Sequence, residues 1–71
     1  MQTKRNAEHA LRLVVNRPGC EPIEAGTFSR YPAAWEAMEA MATGATGESL
    51  DLIDTRGVCR SCMLSGVWVW K

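Results

Sequence analysis

The sequence predicts an α+β two-layer sandwich, a four-stranded and mainly antiparallel sheet with one helix on one face, in the order ββαββ. Three observations predict it. Short segments of alternating apolar and polar residues lie at both ends of the chain, one central segment has helical spacing, and dense turn formers separate them. Elements in that order bury their apolar faces most simply as one helix laid on one sheet.

Residues His9 to Asn16 form the first strand, with Leu11, Leu13 and Val15 on one face and Arg12 and Val14 on the other. The run Asn16-Arg-Pro-Gly-Cys-Glu-Pro22 ends it, and a second strand from Ile23 to about Phe28 completes a hairpin; Pro22 suits a strand start, where a missing N–H costs least. Ser29 is the expected N-cap of a helix over Tyr31–Ala42, with Pro32 in its first turn. Tyr31, Ala34, Trp35, Met38, Met41 and Ala42 follow the i, i+3, i+4, i+7 pattern and form its packing stripe, a core pattern rather than a cofactor box, while Glu36 and Glu39 point to water. Gly44 and Gly47 stop the helix. Residues Glu48 to Asp54 are the third strand, Thr55 to Cys62 the loop of a second hairpin, and Met63 to Lys71 the last strand. Residues 1–7 are a flexible tail and 8–71 the single domain.

A chain of 71 residues buries only about 60% of the surface its unfolded form exposes, so a staple, a homodimer or a tightly held partner is expected. Eight basic and eight acidic residues cancel, which gives no general pull toward nucleic acid or membrane. The charges are not evenly spread. From Tyr31 to Thr55 there are five acids, Glu36, Glu39, Glu48, Asp51 and Asp54, and no Lys or Arg. This is either a set of ordinary solvated positions or an acidic surface that meets a basic partner. No run has the length of a signal peptide's apolar centre or a membrane span, and three cysteines are an odd number. A cytoplasmic chain with reduced thiols is expected.

Cys59-Arg-Ser-Cys62 has the spacing of half a zinc site or of a redox pair. A strand rather than a helix follows it, which weakens the redox reading. In the expected topology Cys20 lies at the opposite end of the sheet, so Cys59, Cys62 and His9 are the candidate zinc ligands; reduced, noncatalytic cysteines and no cofactor are the expectation, with zinc, redox use or an intersubunit disulfide as the alternatives. No nucleophile with a base and an orienting acid stands out, and no glycine spacing forms a phosphate loop. An enzyme is not expected.

Period-two alternation places Trp68 and Trp70 on one face of the last strand and Val67 and Val69 on the other. Leu11, Leu13, Val15, Leu50 and Leu52 should face the helix together with Val67 and Val69. The open face then carries Arg12, Val14, Glu24, Asp51, Ile53, Trp68 and Trp70, the mixture of aromatic and charged residues favoured at protein interfaces. The competing assignment puts both tryptophans under the helix.

In order of elements the chain resembles small phage-encoded anti-CRISPR proteins, especially those acting on type I-F surveillance complexes. In those proteins a hairpin with an Ile-Glu-Ala run leads into a Ser-capped helix, and an acidic strand and a short Trp-containing strand follow. Here the matching stretches are Ile23-Glu24-Ala25 before Ser29, Gly47-Glu-Ser-Leu-Asp-Leu-Ile-Asp54, and Gly66-Val-Trp-Val-Trp70. The resemblance covers residues from roughly 10 to 71; Cys20 and Cys59-x-x-Cys62 stand outside its pattern, and it assigns no individual contact residue. It implies a noncatalytic protein that binds a host nucleoprotein complex and obstructs target-DNA engagement.

The leading expectation is therefore a phage or mobile-element protein that binds and inhibits or modulates a host protein or nucleoprotein complex. Trp68, Trp70, Arg12, Glu36, Glu39, Asp51 and Asp54 are its candidate contact residues. The alternatives are a nucleic-acid module, with Trp68 and Trp70 as stacking platforms beside Arg12, Arg56 and Arg60, and a zinc-stapled accessory domain.

Overall fold

The computed structural model describes residues 10–71. The predicted tail and His9, with its zinc-ligand role, lie outside the described residues. Alternating apolar residues build β1 (Leu11–Asn16) and β3 (Ser49–Ile53), and β2 (Ile23–Phe28) returns from the Pro-Gly turn as predicted. The helix α1 spans Tyr31–Met41, and β4 (Cys59–Leu64) and β5 (Val67–Trp70) end the chain. The sheet has the order β2-β1-β3-β4-β5, with every neighbouring pair antiparallel.

Among the described residues the fold is thus α+β with one helix and one antiparallel sheet, but the sheet has five strands and not four. The segment expected as a loop over Thr55–Cys62 is half turn and half strand, because Asp54 closes the turn early. Its Oδ1 accepts from the amides of Arg56 at 2.9 Å and Val58 at 3.0 Å. Asp54 N also donates to Val58 O at 3.0 Å and Gly57 N to Asp54 O at 3.0 Å. The expected single strand over Met63–Lys71 is broken by a second turn. Ser65 and Gly66 both have positive φ, 51° and 84°, as a two-residue hairpin turn requires. A side chain at Gly66 would put its Cβ 2.9 Å from the Cα of Gly44, so this turn also packs against the loop that follows the helix.

The helix starts at Tyr31 as expected and ends at Met41, one residue short of Ala42, but its N-cap is not Ser29. Arg30 is the N-cap, in an extended conformation and without a side-chain capping bond, and Pro32 fills the first turn. The helix ends with Ala42 N donating to Met38 O at 3.0 Å. Ala34 and Met38 face the sheet and meet Leu11, Leu13, Val15, Leu50, Leu52 and Met63; Tyr31, Trp35, Ala37, Ala42, Phe28 and Trp68 pack around this core. Met41, expected in the stripe, is 36% exposed. The leucine face of β1 and β3 is therefore the one the helix covers, as predicted, but Val67 and Val69 are exposed rather than beneath it.

Three register shifts explain where side chains depart from simple alternation. Ala25 on β2, Arg60 on β4 and Val69 on β5 are extra residues with no partner across the ladder. An extra residue locally re-aims the side chains that follow it. The shift at Val69 pairs Trp68 with Met63 and Trp70 with Cys62. Met63 belongs to the core and Cys62 sits across from Asp51 on the other face. Trp68 and Trp70, expected on one face, are consequently on opposite sides of the sheet.

One buried charge ties the loops together. Glu48 is fully buried at the entry to β3. Its Oε1 accepts from the amides of Thr43 at 3.0 Å and Gly44 at 3.3 Å, and its Oε2 from Thr43 Oγ1 at 2.9 Å and Arg17 Nε at 3.0 Å. Arg17 comes from the β1–β2 loop, so a single carboxylate joins that loop, the end of α1 and the start of β3.

Candidate functional site

On the helix side, Trp35 of α1 and Trp68 of β5 both lie within reach of Lys71. The indole N–H of Trp35 donates to Ser61 Oγ at 2.9 Å, and that of Trp68 donates to Glu39 Oε2 at 3.0 Å. Tyr31 lies 5.6 Å from Trp35 between ring centroids, tilted by 40°. The Lys71 ammonium stands 5.2 Å from the Trp35 ring and 4.6 Å from that of Trp68. A face-on cation at such distances is attracted by the ring quadrupole.

Among the described residues no helix covers the opposite face. Asp51 is at its centre. Asn16 Nδ2 donates to Asp51 Oδ2 at 3.2 Å, and Cys59 Sγ lies 3.8 Å from Asp51 Oδ1. Burial pushes the Cys62 thiol up to about 12, with the hydrogen bond to Asp51 and its negative charge adding to the effect. Burial first, and then the Asp51 charge, also raises Cys59. Both sulfurs are neutral thiols near pH 7, a state in which they are poor nucleophiles. Among the described residues no group of three or more His, Cys, Asp and Glu is arranged to hold a metal ion.

The remaining feature is the edge of the sheet. Among the described residues β5 pairs only with β4, so its outer side presents backbone groups that none of the described strands pairs. Its exposed side chains are Val67 at 67%, Val69 at 46% and Trp70 at 51%, and Leu64 across the turn is 49% exposed. Leu64 pairs with Val67, so these apolar residues are contiguous. The other edge, β2, follows Pro22, carries Glu24 and is bulged at Ala25. Those are devices that discourage strand addition. The two edges are therefore unequal: β2 has a proline at its start and a carboxylate beside its bulge, whereas β5, bulged at Val69, has only apolar side chains over Val67–Trp70.

The residues singled out in the sequence do not form one patch. Trp70 is on the open face; Trp68 is half-buried on the helix side. Arg12 sits on the open face with Glu24, 3.5 Å away in an exposed ion pair. Asp51 is beneath the thiols. Glu36 and Glu39 are exposed on α1, Glu39 holding Trp68. Asp54 is occupied by its turn and by Arg60, whose Nη1 is 3.7 Å from Oδ2. The amide of Val58 chiefly, then that of Arg56 and the charges of Arg60 and Arg56, hold the Asp54 carboxyl below its ordinary range against the effect of burial. Two rings on opposite sides of a sheet cannot stack successive bases on one surface. Sequence reasoning missed Lys71, Leu64 and Ser61; Ser65-Gly66 between apolar runs was the signal that would have placed Leu64 and Val67 together.

Fold and surface define a small α+β protein in which the sheet face away from the helix runs into an apolar edge strand. Comparisons of the chain with protein-family models, curated proteins and solved structures found no match. Among the described residues no helix is long and apolar enough to cross a membrane.

Proposed function

We propose that this chain is a small noncatalytic protein, encoded by a phage or mobile element, that inhibits or modulates a host complex by binding it through β5 and the adjoining open face. It works in the host cytoplasm. A CRISPR surveillance complex is the target to which the resemblance points. The observation that carries the reading is the strip of exposed Leu64, Val67, Val69 and Trp70 beside backbone that none of the described strands pairs. An exposed edge of this kind binds an added strand through main-chain hydrogen bonds, with side chains giving specificity. A half-exposed tryptophan at its end is the residue type that most often dominates interface energy.

The test compares tagged wild-type protein with Trp70→Ala in host cells and then with the purified partner. The wild type should retain one stoichiometric partner, and Trp70→Ala should bind it about 30-fold more weakly or worse, with an unchanged circular dichroism spectrum. Equal retention by both proteins, or no stoichiometric partner, would overturn the proposal.

A further inference from the structure

The Lys71 ammonium sits between two indoles whose orientations are fixed independently of it. Trp35 is anchored through its N–H to Ser61, and Trp68 through its N–H to Glu39. Both anchors use the edge of the ring, and the Lys71 ammonium lies over a face of each. Donating to a carboxylate also makes the Trp68 ring more electron-rich, which strengthens its attraction for a cation. Tyr31, tilted against Trp35, extends the aromatic wall. The lysine, by contrast, is an exposed residue on a flexible stem. Walls held by hydrogen bonds and an occupant held by a tether differ in how readily each can be replaced.

We infer that Trp35 and Trp68 form a binding slot for an organic ammonium cation, with Lys71 as its intramolecular placeholder. The ligand class is an alkylammonium group, carried either by a lysine side chain of a partner or by a free quaternary amine. Preorganised walls lower the cost of binding, because little side-chain freedom remains to be lost. The tethered ammonium competes with any external cation, so the apparent affinity is reduced by the fraction of molecules in which the slot is filled. The slot lies on the helix side and Trp70 on the open face, so the inference stands apart from the docking proposal and neither depends on the other.

The test titrates wild-type and Lys71→Ala protein with tetramethylammonium chloride at constant chloride and follows the three indole N–H signals by nuclear magnetic resonance. Lys71 is exposed, so its removal leaves the core intact, and Trp70 serves as the internal reference. The expected result is saturable shifts of Trp35 and Trp68 but not Trp70, with binding about threefold tighter or more in Lys71→Ala. The neutral isostere 3,3-dimethylbutan-1-ol should produce no saturable shift. In a second arm, Nα-acetyl-lysine methylamide binding more tightly than tetramethylammonium supports the slot and assigns it to a partner's side chain. The reverse order supports it and assigns it to a free quaternary amine. Absence of saturation in folded Lys71→Ala, an equal response to the neutral isostere, an equal response at Trp70, or equal affinity in the two proteins would overturn the inference.

Discussion

Replacing Glu48 with Gln is expected to lower the melting temperature by about 10 °C or more, although the side chain keeps its shape. The carboxylate receives donors at both oxygens: the Thr43 and Gly44 amides at Oε1, and Thr43 Oγ1 and Arg17 Nε at Oε2. An amide can offer only one acceptor oxygen. Its NH2 group must then face either two backbone N–H groups or the Arg17 guanidinium, donor against donor. Burial raises the Glu48 pKa, but the bonds from the Thr43 side chain, Arg17, the Thr43 amide and the Gly44 amide outweigh it and hold the carboxyl below its ordinary 4.5. A depressed folded pKa gives stability that is present above the unfolded value and lost as pH falls through the folded one. Melting temperature should therefore be level down to about pH 4.5 with respect to this group and decline below it, with Asp54 contributing from its ordinary 3.8 downward. Glu48→Gln should show a lower melting temperature at neutral pH and a shallower acid decline. Calorimetry across pH on both proteins checks the two halves of this expectation together.

The second large effect is expected at Met38. Only Ala34 and Met38 of α1 are fully buried, so Met38 is the one long helix side chain wholly inside the core, with Tyr31 and Trp35 packed partly buried beside it. Met38→Ala leaves a hole among Leu13, Leu50 and Leu52 and should cost about 2–5 kcal/mol. Typical domains have only about 5–15 kcal/mol in total, and a small one has less to spare. Urea unfolding followed by circular dichroism should show the transition move to much lower denaturant. Met41→Ala, at a position 36% exposed, should change stability by less than about 1 kcal/mol. Equal losses from the two substitutions would mean that Met38 does not hold the helix to the sheet.

The elements with clean periodicity were the ones the sequence made legible. Leu11, Leu13 and Val15 repeat every second residue, and Ala34 and Met38 four residues apart share a helix face. The helix-covered side of β1 and β3 followed directly. At the C-terminal end the pattern failed because alternation presumes an unbroken ladder. The extra residues Arg60 and Val69 shift the register, and no local composition marks a bulge as such. Trp68 and Trp70 were thereby assigned one face when they occupy two. The acidic segment misled in a different way. Glu48, Asp51 and Asp54 look alike in sequence, yet one is buried under loops, one lies beneath thiols and one builds a turn. Hydrogen-bond partners from distant segments, Arg17 for Glu48 and Asn16 for Asp51, decide those roles, and spacing along the chain does not reveal them. The noncatalytic, partner-binding character of the chain is a proposal that its exposed edge supports.

The central claim is that β5 is the strand a partner covers. Amide hydrogen exchange of the purified complex, compared with the free protein, tests it most directly. The proposal predicts slowed exchange at the β5 amides, Val67–Trp70, with the β2 edge unchanged. Protection confined to β2, α1 or the loops, with β5 exchanging as it does in the free protein, would contradict it.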